Sequence, residues 1–159
     1  MKGKRTDLSR NPCAASRALG VVGDWWSLLI VRDALGGVQR FNEFQKNIGL
    51  AKNILSSRLK KLVEAGVLRI EPDEAAPSSH HYVLTERGRR LGVVIAAIWQ
   101  WGEEFCFEPG EAVPLLIDKT TDQPLAPLEI KTLDGRVVDP RDLRMGVKKR
   151  AAAAPTNGG

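Results

Sequence analysis

Between positions 52 and 62 the chain places Lys52, Asn53, Ser56, Ser57, Arg58, Lys60 and Lys61 among Ile54, Leu55, Leu59 and Leu62. An asparagine amide can offer a paired donor and acceptor to an adenine edge. Serine hydroxyls can bond a base or a phosphate, and lysines can neutralise phosphate or reach guanine. Such groups act together only if a rigid element aims them in one direction. Stepping 100° per residue from Leu55 supplies that element, because Ala51, Leu55, Leu59 and Leu62 fall on one stripe of a helix. Asn53, Ser57, Lys60 and Glu64 fall opposite, flanked by Ser56 and Lys61. Arg58 lies at the edge of the apolar stripe, which suits positioning or a phosphate contact better than base reading.

The flanking residues predict how this helix is held. Arg40-Phe41-Asn42-Glu43-Phe44 opens a short preceding helix with Phe41, Phe44 and Ile48 at helical spacing, and Asn47-Ile48-Gly49 ends it in a turn. Two helices joined by a short glycine-containing turn form the helix-turn-helix pattern. Gly66 then stands at a C-cap position, and Val67-Leu68-Arg69-Ile70 alternates as a strand. EPDEAAPSS interrupts the extended run before His81-Tyr82-Val83-Leu84 resumes it, so a strand, a tip and a returning strand form a wing. Asp73 and Glu74 should repel phosphate there, leaving His80, His81 and the serines as the wing's contacts.

Taken in order, PCAASRALGVVGDWWSLLIVRDAL, RFNEF, LAKNILSSRLKKLVEAGVL and YVLTERGRRLG resemble the HxlR-type winged helix-turn-helix transcriptional regulators of bacteria, related in architecture to MarR regulators. The resemblance covers roughly residues 12 to 107 and implies a homodimer whose recognition helices enter successive major grooves of double-stranded DNA, at an inverted-repeat operator. Side-chain chemistry and position in these elements assign DNA contact to Arg40, Lys52, Asn53, Ser56, Ser57, Arg58, Lys60, Lys61, His80 and His81. Some members of the family sense oxidants through a cysteine ahead of the first helix, the place Cys13 occupies here. Arg10, Arg17 and a helix N-terminus could lower its pKa, although small cysteines are also common packing residues. Cys106, between Phe105 and Phe107, reads as packing.

Charge and composition agree with a polyanionic partner. The 159-residue chain carries a formal net charge of +5. The cations cluster in the first ten residues, from Arg40 to Lys61 and from Arg141 to Arg150. Leu91 to Trp101 is too short for the ~20 residues a spanning helix needs, so a cytoplasmic protein with no membrane partner is expected. Two cysteines and no spaced ligand set argue against a disulfide framework, a metal or another cofactor. Catalysis has no visible support, since the two histidines are adjacent in the wing and no nucleophile stands with a base.

The remaining segments complete an expected α+β fold, mainly helical, with a small β wing and a short C-terminal β appendage. Residues 1–11 read as a flexible basic arm, 12–107 as the winged helix-turn-helix and dimerisation domain, 108–147 as the appendage and 148–159 as a disordered tail. Asp24 should cap a core helix over Trp25 to Leu35. Thr85 should cap one long final helix, ERGRRLGVVIAAIWQWGEEF, apolar nearly all round. That pattern predicts burial against a second subunit through Leu91, Val94, Ile95, Ile98 and Trp99. In the appendage, Leu115–Asp118, Leu128–Lys131 and Arg136–Val138 read as strands, the last two joined at Asp134-Gly135. A regulator of transcription, expected to repress and to respond to a redox signal or an unidentified small effector, is the favoured reading. The alternative is a winged-helix protein-interaction module without specific DNA binding, which would call for an apolar or acidic face on residues 52 to 64.

Overall fold

A computed structural model describes residues 7–73, 76 and 79–147. The helices are α1 (Ala14–Val22), α2 (Trp25–Leu35), α3 (Phe41–Ile48), α4 (Lys52–Glu64), α5 (Glu86–Arg89) and α6 (Gly92–Phe105). The strands β1 (Leu68–Pro72) and β2 (His80–Leu84) pair antiparallel, with Leu68 opposite Leu84 and Pro72 opposite His80. This is a winged helix-turn-helix of the α+β class. Among the described residues no single helix is long and apolar enough to cross a membrane.

Local chemistry accounts for the helix boundaries. Asp24 accepts from the backbone N–H of Ser27 at 2.9 Å and caps α2 after a 77° bend from α1. Glu43 reaches back to the backbone N–H of Arg40 at 3.1 Å and closes the first turn of α3. Gly49 ends that helix at φ 75°, a left-handed conformation that a Cβ would penalise. Leu50 follows, buried, and only Ala51 then separates the turn from α4.

The core forms where these elements converge. Ile30 and Val31 of α2, Phe44 of α3, and Leu55, Leu59 and Leu62 of α4 are completely buried, with Val67, Leu68 and Leu84 closing the wing side. Ala51, assigned above to the apolar stripe, is instead the exposed N-cap of α4, because the chain is still extended there and its methyl group lies outside the helical phase.

Two expected elements differ. The final helix is broken, with α5 ending at Arg89 and α6 starting at Gly92. At the junction Leu91 donates to the Gly88 carbonyl at 3.0 Å, a tighter turn than the α-helical one. The wing causes the break by holding the first turn. Arg89 donates to the Leu84 carbonyl at 3.0 Å, and a Cβ on Gly88 would stand 2.2 Å from the Val67 carbonyl oxygen. The other difference lies beyond α6, where two isolated bridges, Ile117 with Pro124 and Lys131 with Val137, take the place of the expected strands. Prolines at 114, 124, 127 and 140 remove the N–H groups a longer ladder needs. The turn at Asp134-Gly135 does form, with Val138 donating to the Ile130 carbonyl at 2.8 Å. A short 3-10 helix follows at Pro140–Asp142. By its contacts the chain divides into a unit ending at Pro124 and a second one starting at Leu125.

Of the expected basic arm, residues 1–6 lie outside the described set. Asp7 to Asn11 form a turn in which Asn11 donates to the Leu8 carbonyl at 3.1 Å. The expected tail, 148–159, also lies outside the described residues.

Candidate nucleic-acid interface

The three buried leucines of α4 turn the opposite side of that helix to solvent. Lys52, Asn53, Ser56, Ser57 and Lys60 are all exposed. Among the described residues, Lys52, Asn53, Ser56 and Ser57 have no side-chain partner. Lys60 lies 3.8 Å from Glu64 in a solvent-exposed pair, a contact too weak to withhold it from a phosphate. The helix therefore offers one amide, two hydroxyls and two ammonium groups on one surface.

Arg58 and Lys61 occupy the flank of α4 and turn toward α2. Arg58 Nε lies 3.3 Å from Asp24 Oδ1, and Lys61 Nζ 3.4 Å from Asp24 Oδ2. The arginine contact has the distance of an ion pair without hydrogen-bond direction. Burial pushes the Asp24 carboxyl up, but hydrogen bonds from Ser27 and the charges of Arg58 and Lys61 outweigh it and hold the group below the usual carboxylate range. One aspartate thus caps α2 and anchors α4. Its capping role is visible in the sequence, whereas its ionic role depends on residues 34 and 37 positions away.

The wing is organised around a second aspartate. Asp73 is 5% exposed, with Arg40 Nη2 at 2.6 Å and His81 Nε2 at 3.3 Å. Asp73 was expected to repel phosphate, yet it lies inside the wing with its charge offset by Arg40. Glu74 falls outside the described residues. His81 consequently faces inward, and Arg40 has one guanidinium nitrogen committed while about half of its side chain stays exposed. His80 points outward and packs edge-on against Tyr82, its Nε2 3.1 Å from the phenol oxygen. The Tyr82 backbone N–H donates to the Gln39 carbonyl at 2.8 Å, tying the wing to the start of α3.

The residues assigned to dimerisation separate into two groups. Leu91 and Ile95 pack against the protomer's own core. Val94 and Ile98 are exposed, and Trp99 donates its indole N–H to the Pro114 carbonyl at 2.9 Å. Helix α6 buries none of its residues completely, and it also exposes Val93, Trp101 and Phe105. Trp25 at the start of α2 is 70% exposed although its ring lies tilted against Trp26. Sequence periodicity could not single out Val93, Trp101, Phe105 or Trp25, because α6 is apolar on nearly every side and α2 is expected in the core.

Cys13 is the N-cap residue of α1 and is partly exposed. Its thiol is held below the ordinary range by the Ser16 backbone N–H first, then the Ser16 hydroxyl and the Ala15 N–H. Of the two expected causes, the helix terminus accounts for this, and Arg10 and Arg17 are not among the causes. Arg17 is instead bonded to the Asn11 carbonyl at 2.5 Å.

Comparison with known proteins places this geometry among relatives. The HxlR-like helix-turn-helix family model matches residues 21–109. Rv3095 of Mycobacterium tuberculosis, described as an uncharacterized HTH-type transcriptional regulator, is 44% identical over 96 residues, covering 60% of this chain and 61% of the relative. The chain thus spans about three fifths of the length of that relative. The crystal structure of PA1607, a candidate transcription factor, superposes with a TM-score of 0.84 at 43% identity, covering 90% of this chain and all of that one. The redox regulator HypR in its reduced form gives a TM-score of 0.54 at 28% identity, covering 58% of this chain and 92% of its own.

Proposed function

The chain belongs to the HxlR-like helix-turn-helix family, and from that premise we propose that it is a sequence-specific DNA-binding regulator of transcription that acts as a homodimer and represses its targets. The observation that carries this reading is the outward face of α4, where Lys52, Asn53, Ser56, Ser57 and Lys60 stand exposed on a helix locked by three buried leucines. Asn53 reads a base edge, and Lys52 and Lys60 neutralise phosphate. Ser56 and Ser57 bond either, while Arg58 and Lys61 fix the helix through Asp24 and add positive potential. Arg40 and His80 supply phosphate contacts at the start of α3 and on the wing. An interaction module would instead present an apolar or acidic face here, and this one carries an amide, hydroxyls and cations.

Selection of bound fragments from genomic DNA, followed by footprinting, tests the reading and yields the operator. Asn53→Ala is expected to lose ~1–3 kcal/mol of discrimination at particular base pairs, whereas Lys60→Ala weakens specific and random DNA alike and flattens the salt dependence. Equal losses from both variants on every sequence would remove the base-reading role of Asn53.

A redox response is the second reading, supported by the lowered thiol pKa at Cys13 and by the similarity to HypR. The thiolate is the reactive species, so Cys13 should remain reactive toward iodoacetamide at lower pH than an ordinary cysteine. Modification by diamide or a quinone should change operator affinity in the wild type and in Cys106→Ser but not in Cys13→Ser. Unchanged binding by fully modified wild type would exclude a sensing role.

A further inference from the structure

Two side chains from distant parts of the chain converge on one oxygen at the base of the wing. Arg40 Nη2 lies 2.6 Å from Asp73 Oδ2, and His81 Nε2 lies 3.3 Å from the same atom. The carboxylate is 5% exposed, whereas the Arg40 side chain is 49% exposed. A carboxylate withdrawn this far from water must be paired, and such a pair yields little net stability because desolvation offsets the attraction. Its consequence is geometric: one guanidinium nitrogen is fixed while about half of the side chain stays open to solvent.

Both ends of the contact are anchored. The Arg40 backbone N–H donates to Glu43 at 3.1 Å and its carbonyl accepts from Phe44 at 3.1 Å, which locks the residue to the first turn of α3. The Asp73 backbone N–H donates to the Ser79 carbonyl at 3.2 Å and its own carbonyl accepts from Ala76 at 3.1 Å. The pair therefore joins the wing to the helix that precedes α4. In helix-turn-helix proteins that first helix crosses the sugar-phosphate backbone while the second enters the groove, and phosphate contacts set the register. An arginine free on its flexible stem reaches phosphates in many registers, so it favours random and specific DNA alike. A pinned one meets a phosphate only where α4 is also seated on its bases.

We propose that Asp73 is a positioning residue for DNA recognition, which fixes the Arg40 guanidinium so that its phosphate contact is made only in the register that α4 reads. The inference rests on the DNA-binding reading above and assigns specificity to an acidic residue that acts through Arg40 rather than by touching DNA.

The test compares wild type, Asp73→Asn and the double variant Asp73→Asn, Arg40→Gln on the selected operator and on random DNA over a range of salt. Asparagine keeps the shape of the side chain and removes its charge. Asp73→Asn is expected to bind random DNA about three- to tenfold more tightly, with a salt slope steeper by about one, while the ratio of operator to random affinity falls by about tenfold. The gain on random DNA should vanish in the double variant, since it comes from the released guanidinium. If Asp73 merely holds the wing together, its loss weakens binding to both DNAs and leaves the salt slope unchanged, and that result overturns the proposal. A gain that persists in the double variant, or an Asp73→Asn protein identical to wild type, overturns it as well. Hydrogen exchange at the Tyr82 amide, which donates to the Gln39 carbonyl, reports whether the wing is still docked. Should Asp73→Asn undock it, Arg40→Lys carries the test, because that variant keeps every charge and removes the planar fork. Unchanged discrimination by Arg40→Lys overturns the positioning role. A wild type that binds every sequence equally overturns the specific DNA-binding reading, and the role of Asp73 with it.

Discussion

Ile98→Asp is expected to yield a folded monomer whose operator affinity falls by about a hundredfold to ten-thousandfold. Ile98 is 49% exposed on α6 and lies outside the protomer's core, so the charge should leave the winged domain intact. In the proposed dimer it would be buried without a partner, a cost of several kcal/mol that an interface cannot absorb. Once the protomers separate, each half-site must be bound independently, and the effective concentration supplied by the partner is lost. The choice of residue matters, because Ile95, one helical turn earlier, packs against the core and its substitution would unfold the protomer as well. Sedimentation equilibrium and operator titration decide the matter. An Ile98→Asp protein that sediments and binds as the wild type does would show that α6 makes no dimer contact.

Asp24→Ala is expected to lower stability at pH 7 by about 2–3 kcal/mol. About 1 kcal/mol comes from loss of the α2 N-cap. The remainder comes from the Ser27 hydroxyl bond at 2.8 Å and from leaving Arg58 and Lys61 without their shared carboxylate. The side chains of all three charged residues are no more than a quarter exposed, so solvent screens the cluster only partly. Because the folded pKa of Asp24 is depressed, the stability it contributes is fully present above the unfolded value of about 3.9 and is lost as pH falls through the folded value. The gap between wild type and Asp24→Ala should therefore be constant near neutrality and narrow below about pH 4. Denaturant unfolding at pH 7 and pH 3 measures it, and a gap of the same size at both would mean that the ionised carboxylate contributes nothing. Since Arg58 and Lys61 belong to α4, the variant should also weaken DNA binding by loosening the aim of that helix.

The identity of α4, its turn from α3, the wing and the cap at Asp24 were legible in the sequence because each depends on residues within a few positions of one another. Helical phase, a glycine at a left-handed turn and a short polar N-cap are local signals, and they survived folding almost unchanged. Ala51 failed the pattern because the helical phase had been extended one residue past the true start of α4.

What only the tertiary structure decided involves groups distant in the chain or ambiguous in phase. Asp73 looked repulsive in one dimension, and the fold sets it beside Arg40, 33 residues earlier, so its charge is paired inside the wing. The same juxtaposition turns His81 inward and leaves His80 on the outside. The final helix was unreadable for the opposite reason, since a segment apolar on nearly every side has no periodicity to assign its faces. Packing assigned Leu91 and Ile95 to the core and left Val94 and Ile98 to solvent. Pinning of Gly88 against the Val67 carbonyl broke the helix where local propensity alone would have continued it. Local chemistry thus specified each element, whereas long-range packing and charge pairing decided which side chains remain free to meet a partner.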